Sequence, residues 1–399
     1  VLRHGVVDAP AKLSLCYFKP ASGMNQTSQA LYEKNILSIT RQVHYSLKNE
    51  NSIDVVLFIN GLPVATVELK NPITGQTVEN AKRQYMKDRD PRELLLSFKA
   101  RCLVHFAVDT EEVWMTTKLA GKNTYFLPFN QGSNGAGNDG GKGNPANPNG
   151  YPTAYLWENV FQKDSMMDII QKFMNLKDGK TLIFPRYHQL DVVRRLLADV
   201  RQNGAGHNYL IQHSAGSGKS NSIAWTAYRL ASLFNEENKP VFSSVVVVTD
   251  RTVLDAQLQE TISGFDHTLG AIETIGEDKT SKDLRDAING GVRIIVTTLQ
   301  KFPVIYQEVD KVVGRNFAII VDEAHSSQTG SSALKLKAGY AFGTDLDEYA
   351  VKAAQENAQV NGIPASSFPI VTGNIIDDPA IQEQAGYECY DIAVANILA

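Results

Sequence analysis

No run of 18 or more apolar residues occurs in the 399-residue chain, which excludes a membrane-spanning helix by composition. Cysteine is scarce. Cys16, Cys102 and Cys389 lie far apart and match neither a disulfide nor a metal spacing, which points to a reducing, cytoplasmic setting. Strong charge of one sign is also lacking. A net charge of −4 excludes a polycation, although a DNA partner needs only a local basic groove. The chain opens on Val1 rather than Met, with no secretory pattern behind it, and so reads as a fragment. No internal repeat is found. What remains is ordinary globular material, 43% hydrophobic and 21% charged, enough for two or three domains.

The stretch "IDVVLFINGLPVATVELK" (Ile53–Lys70) is two apolar, β-branched runs around Asn60-Gly61, which predicts a hairpin. "TVENAKRQYMKD" (Thr77–Asp88) predicts a helix, and "ARCLVHFAVDTEEVWMTTKL" predicts two strands around an Asp109–Glu112 turn. Asn130–Pro152 is rich in Gly, Asn and Pro and reads as a long loop or linker, followed by a helical connector over Tyr155–Asn175. From Phe184 onward, "NYLIQH", "SSVVVVTD", "GVRIIVTT" and "NFAIIVDE" alternate with helix-like segments, the pattern of a parallel sheet covered on both faces. Composition changes again near Ser332: residues 334–399 hold nine Asp and Glu against three Lys.

Three constellations carry chemistry. In "HSAGSGKS", Gly216 and Gly218 let the backbone curl around Ser217 so that N–H groups point at phosphates. Lys219 adds a point charge, Ser220 an oxygen for Mg2+, and the next helix its positive end. His213 stands where the usual pattern has a first Gly. About a hundred residues on, "FAIIVDEAH" ends a buried-type strand in two acids. Asp322 is placed to reach the Mg2+ and Glu323 to orient the attacking water. In the hairpin, Glu68 and Lys70 are i and i+2 and leave one sheet face, with Asp54 able to approach across the turn. Two such carboxylates can share a Mg2+ while the lysine holds water beside a phosphodiester.

These residues resemble known families. Asp322-Glu323-Ala324-His325 resembles the DEAH-type Walker B box of superfamily 2 helicases and translocases, and Gln189 in "RYHQLDVVRRL" their adenine-reading glutamine. "VVVVTDRTVLDAQL" and "VTTLQKF" resemble the motifs that contact DNA, which implies that role for Arg251, Thr298, Gln300 and Lys301. Asp54, Glu68 and Lys70 match the D…ExK of the PD-(D/E)xK nuclease fold. Together the wordings are similar to the R (restriction) subunit of type I restriction endonucleases. That family often adds Q-x-x-x-Y on the next helix. Here Gln84 and Tyr85 are adjacent and Ala81 takes the aligned position, so both are weak candidates. Two readings stand for Arg83, Lys87, Arg89 and Arg92: phosphate contact, or solvation of a helix and turn. The tail, "AFGTDLDEYAVKAAQENAQVNGI" and "YDIAVANILA", resembles part of a class I methyltransferase acting on a ribosomal protein. In it Asp345 matches the ribose-binding acid and Asn396–Ala399 the substrate-amide motif, but the glycine-rich cofactor loop is missing. This favours a junction near Ser332–Gly339, as in a spliced or misassembled reading frame.

The resemblance implies an α/β chain: a PD-(D/E)xK nuclease-like domain over residues 1–128, a loop and connector over 129–180, an incomplete RecA-like P-loop lobe over 181–333 and a partial Rossmann-like methyltransferase segment over 334–399. It implies ATP-dependent translocation and Mg2+-dependent cleavage of double-stranded DNA. Modification and specificity subunits would be partners, with S-adenosylmethionine serving the modification subunit alone and no membrane involved. The alternatives are a DNA translocase whose nuclease-like domain only binds, and a protein methyltransferase fragment.

Overall fold

Asn60 and Gly61 both adopt positive φ, 49° and 81°, and close the first hairpin as a tight turn matched to strand twist. The structure, a computed structural model, describes residues 1–214, 216–249, 261–262, 272–275, 279–298 and 315–322, and the backbone alone of 281, 343–345 and 370–372. The chain divides into two units, residues 1–192 and 193–399. No helix among the described residues is long and apolar enough to cross a membrane.

In the first unit a small hairpin, β1 (Val6–Asp8) and β2 (Ala11–Leu13), precedes α1 (Gln26–Glu33). Then follow β3 (Leu37–His44), β4 (Ser52–Ile59), β5 (Leu62–Leu69), α2 (Val78–Lys87), β6 (Val104–Val108), β7 (Val113–Thr116) and β8 (Leu127–Pro128). They form one six-stranded sheet in the order β3-β4-β5-β6-β7-β8. All neighbours are antiparallel except β5 and β6, which α2 joins as a parallel crossover. The edge strand β3 was not foreseen in the sequence. It alternates weakly and is mostly exposed.

Thr77 and Asn80 form a capping box at the start of α2. The Asp109 carboxylate, in the β6–β7 turn, accepts from Val78 N at 2.7 Å and so sits at the helix's positive end. One face of the sheet packs Ile53, Val56 and Ala107 against Val78, Ala81 and Tyr85 of α2. The opposite face packs Phe106 edge-on against Phe129, Phe161 and Phe184, at 5.6, 5.3 and 5.9 Å between ring centres. Phe129 follows β8, Phe184 follows a hairpin over residues 175–183, and Phe161 comes from the connector, where π-helical turns Leu156–Val160 and Ile169–Phe173 flank α3 (Lys163–Asp168). The Asn-rich stretch before it holds no regular element, but its side chains replace backbone partners. Asn130 Oδ1 accepts from Val113 N and Asn144 Nδ2 donates to Glu111 O, both at 2.8 Å. The hairpin β9 (Asn175–Lys177) and β10 (Thr181–Ile183) leads into α4 (Tyr187–Asn203), within which the two units meet in sequence.

In the second unit come α5 (Lys219–Ala231), β11 (Ser244–Thr249), β12 (Ile272–Ile275), α6 (Ser281–Asn289), β13 (Ile294–Thr298) and β14 (Phe317–Val321). The strands form a fully parallel sheet in the order β12-β13-β11-β14. Val246, Val248, Ile295 and Val321 pack on Leu284, Ala287 and Ile288 of α6. Ile320, which alternates with Val321, lines a small cavity on the other face together with Ile223 and Leu230 of α5. Expected strand "NYLIQH" is not formed: only Leu210 makes a bridge, the run being short and flanked by the polar Asn208, Gln212 and His213. In the tail, β15 (Gly343–Asp345) and β16 (Ile370–Thr372) pair in parallel.

Beneath the first unit's helix lies a buried polar chain. Tyr85 Oη bonds Thr66 Oγ1 at 2.8 Å, and Thr66 Oγ1 bonds His105 Nδ1 at 2.7 Å. Tyr85→Phe leaves the Thr66–His105 bond in place. It is expected to cost about 1 kcal/mol in urea unfolding followed by circular dichroism. A loss above about 3 kcal/mol would show instead that ring packing had been disturbed.

Candidate nuclease and nucleotide sites

In the hairpin, Val55 lies opposite Val67, so the next pair down brings Asp54 beside Glu68. The half-buried Asp54 is held in place by donors from both sides. Its Oδ2 accepts from Leu69 N at 2.8 Å and its Oδ1 from Gln42 Nε2 at 3.1 Å. Glu68 has no exposed surface. Its Oε1 accepts from Arg89 Nε at 2.7 Å, while its buried Oε2 receives no donor from the described residues and is adjoined by the Asp54 carboxylate. Burial pushes the Glu68 carboxyl up to about 7, against the pull of Arg89, and the Asp54 charge adds to the rise. Burial depresses Arg89, but its bond to Glu68 outweighs that and leaves the guanidinium above its ordinary value. Lys70 follows β5 and extends the ladder through Lys70 N to Val108 O at 2.8 Å. Among the described residues, no hydrogen bond or ion pair engages its ammonium.

Two adjacent carboxylates, one with an unsatisfied buried oxygen, suit a hard divalent cation with oxygen ligands. An uncompensated Glu68 Oε2 is otherwise a cost with no return. The structure thus brings Asp54 and Glu68 together and places Lys70 one pleat beyond Glu68.

Two other readings change. Tyr85 is fully buried and spent on Thr66, so it does not face a substrate. Arg89 is neither a phosphate contact nor a solvated charge: it is 6% exposed and paired with Glu68. A helix-end arginine ordinarily lies outside. The available signal was the spacing Val78, Ala81, Tyr85, Arg89, which continues the buried stripe of α2 past its end.

In the second unit, Gly216 and Gly218 take positive φ, 72° and 87°, and a side chain at Gly216 would meet nothing within 4 Å. The loop therefore curls around an open space, with Ser217 buried between the glycines. Gly218 caps α5, whose first two residues are Lys219 and Ser220. Asp322 closes β14, with Asp322 N donating to Val248 O at 2.9 Å. Lys219 Nζ reaches Asp322 Oδ1 at 3.2 Å, so loop and strand end converge. A nucleotide phosphate with Mg2+ fits this set: the N-terminal end of α5, an ammonium and a carboxylate. Thr298 is buried at the end of β13, in register with Thr249. Gln189, in the first unit, is buried at the start of α4, where its Oε1 accepts from Arg186 N at 2.9 Å. Glu323, Arg251, Gln300, Lys301 and Asn396–Ala399 lie outside the described residues, and Asp345 is described in backbone alone.

Comparison with known proteins gives three matches along the chain. Residues 25–124 match the family described as type I restriction enzyme R protein N terminus. Residues 188–341 match SWI2/SNF2 ATPase, and residues 329–399 match ribosomal protein L11 methyltransferase. Over 304 residues the chain is 24% identical to a type I restriction enzyme endonuclease subunit of Staphylococcus saprophyticus, covering 74% of this chain and 30% of that protein. Over 67 residues it is 55% identical to the ribosomal protein L11 methyltransferase of Lachnospira eligens, covering 17% of this chain and 21% of that enzyme. Among solved structures, the UvsW helicase of bacteriophage T4 aligns with a TM-score of 0.31 at 15% identity, over 59% of this chain and 67% of that one. The chain thus spans under a third of the length of these curated relatives. It is an α/β chain similar to the restriction subunit through a nuclease-like N terminus and a first motor lobe, and similar to a ribosomal-protein methyltransferase after about residue 334.

The Glu68 carboxyl generates a pH prediction. Unfolded, it loses its proton near 4.5; folded and metal-free, it keeps it to about 7. The folded state binds the extra proton between those values, so this contribution to stability falls as pH rises through that window. Urea titrations at about pH 5 and about pH 7.5 should show wild type losing more stability over this interval than Glu68→Gln, which has no proton to release. Equal losses would mean that burial does not hold the proton.

Proposed function

We propose that this chain carries the DNA-cutting unit and the first motor lobe of a type I restriction endonuclease, which moves double-stranded DNA by ATP hydrolysis and cleaves both strands. The observation that carries the reading is the Asp54–Glu68 pair with its unsatisfied oxygen, in one chain with the Lys219–Asp322 contact. Asp54 and Glu68 hold Mg2+ in the nuclease unit. Bound there, the metal supplies positive charge at the scissile phosphate and a more acidic water. Lys70, with its uncommitted ammonium, orients that water. In the motor lobe Gly216, Ser217, Gly218 and Lys219 cradle the phosphates of ATP, and Ser220 and Asp322 hold Mg2+. Gln189 reads the adenine and Glu323 orients the attacking water. Arg251, Thr298, Gln300 and Lys301 follow the DNA strand.

Double-stranded DNA and the modification and specificity subunits are the partners, and the cytoplasm is the setting. S-adenosylmethionine enters through the modification subunit. The match passes from ATPase to methyltransferase within residues 329–341, which supports a chimeric chain. The tail then contributes no methyl transfer, and labelled S-adenosylmethionine should pass no methyl group to ribosomal protein in its presence.

A second reading, a translocase lobe with a DNA-binding but non-cleaving unit, draws on Arg89, which already satisfies one oxygen of Glu68. Nicking of supercoiled plasmid in Mg2+ separates the two. Lys70→Ala and Asp54→Asn should each lower nicking on the order of a hundredfold while leaving binding of a fluorescent ATP analogue intact. Lys219→Ala should abolish that binding. Nicking that survives in both nuclease variants would leave the second reading standing.

A further inference from the structure

Arg89 has no part in the reaction outlined above, yet its placement is costly. It stands two residues beyond α2, 6% exposed, and a buried guanidinium is tolerated only when paired and hydrogen-bonded. Its Nε donates to Glu68 Oε1 at 2.7 Å and its Nη2 to the carbonyl of Ser52 at 2.7 Å. The Tyr45 ring lies 5.8 Å from the guanidinium carbon. Ser52 opens β4, two residues before Asp54, and Glu68 lies near the end of β5. One side chain therefore ties together the two strands that bring the carboxylates to the site.

The manner of the bond matters. Arginine can grip a carboxylate with both arms. Here it gives one donor to Glu68 and spends the other on the backbone of β4. That leaves Glu68 Oε2 buried and without a donor, in a carboxyl group that adjoins Asp54. An apolar side chain would pin the end of α2 as well, and would not select one carboxylate oxygen over the other.

We propose that Arg89 is a positioning residue for the divalent cation: by holding Oε1 and the β4 backbone together, it keeps Oε2 of Glu68 available beside Asp54. The inference rests on the reading that Asp54 and Glu68 hold the metal. Partners that orient ligands from behind are typically worth ten- to a hundredfold in metal affinity.

The test is Mn2+ binding to the whole chain without nucleotide, followed by the loss of the free-ion paramagnetic resonance signal, with Asp54→Asn defining the site-specific part. Arg89→Met, which fills the space without donors, should bind about ten- to a hundredfold more weakly. Arg89→Lys retains the charge but carries its donors on a single nitrogen that cannot span both strands, so its affinity should fall between the two. Circular dichroism establishes that each variant is folded. A folded Arg89→Met with wild-type affinity overturns the proposal and leaves the metal reading intact. Should Arg89→Met not fold, a folded Arg89→Lys with undiminished affinity overturns it equally. Wild type without any Asp54-dependent binding removes the metal reading and this inference with it.

Discussion

The desolvation of Glu68 is the constraint around which the first unit is built. A carboxyl with no exposed surface is tolerated only if the surroundings supply donors, cations or a proton. Each neighbour answers part of that demand. Arg89 supplies a cation at 2.7 Å, burial retains a proton up to about 7, and the unpartnered Oε2 leaves the remainder unmet. Hairpin and crossover helix bring β4, β5 and the end of α2 to that one point. A protein with no use for the carboxyl would gain stability by exchanging the pair for apolar groups.

The second unit reaches an acidic centre by a different construction. Its parallel strands all end on the same side, so Asp322 and the buried Thr298 emerge at one edge by topology alone. The first unit has antiparallel neighbours on both sides of a single parallel pair, and direction does not gather its residues. Register does so instead: Val55 against Val67 fixes Asp54 beside Glu68, and a slip of one residue would turn Glu68 to the opposite face.

Much of this was legible because the relevant signals are local. Asn60-Gly61 dictates a turn through φ, and the valine run of β11 has no alternative to a buried strand. The glycines of the phosphate loop likewise announce their backbone. What escaped notice depends on partners distant in sequence. Edge strand β3, "LSITRQVH", is held by its pairing with β4 and shows little pattern of its own. The Asn-rich stretch looks like a spacer because its bonds run to strand β7 and the turn before it, and a sequence does not display them. Arg89 escaped for the opposite reason. Its type speaks for solvent, and only its place on the α2 stripe, four residues past Tyr85, speaks for burial. Residue type and position disagreed, and position decided.

The cations paired with acids at the two candidate sites, Arg89 and Lys219, are held differently. Lys219 bears on Asp322 through an ammonium on a flexible stem, with 19% of its side chain exposed. Its contact with Asp322 Oδ1 engages the carboxylate that the proposed Mg2+ would use, and a bound nucleotide would offer the lysine a phosphate instead. A lysine can make that exchange, because its charge is a point on a mobile chain. Arg89 cannot: its second arm is fixed to the Ser52 carbonyl, and its side chain is 5% exposed. It bears on the oxygen opposite the one left open, so nothing has to move for a cation to arrive. Under the proposed function, the nucleotide site would exchange partners when nucleotide binds, whereas the carboxylate pair of the first unit is arranged in advance.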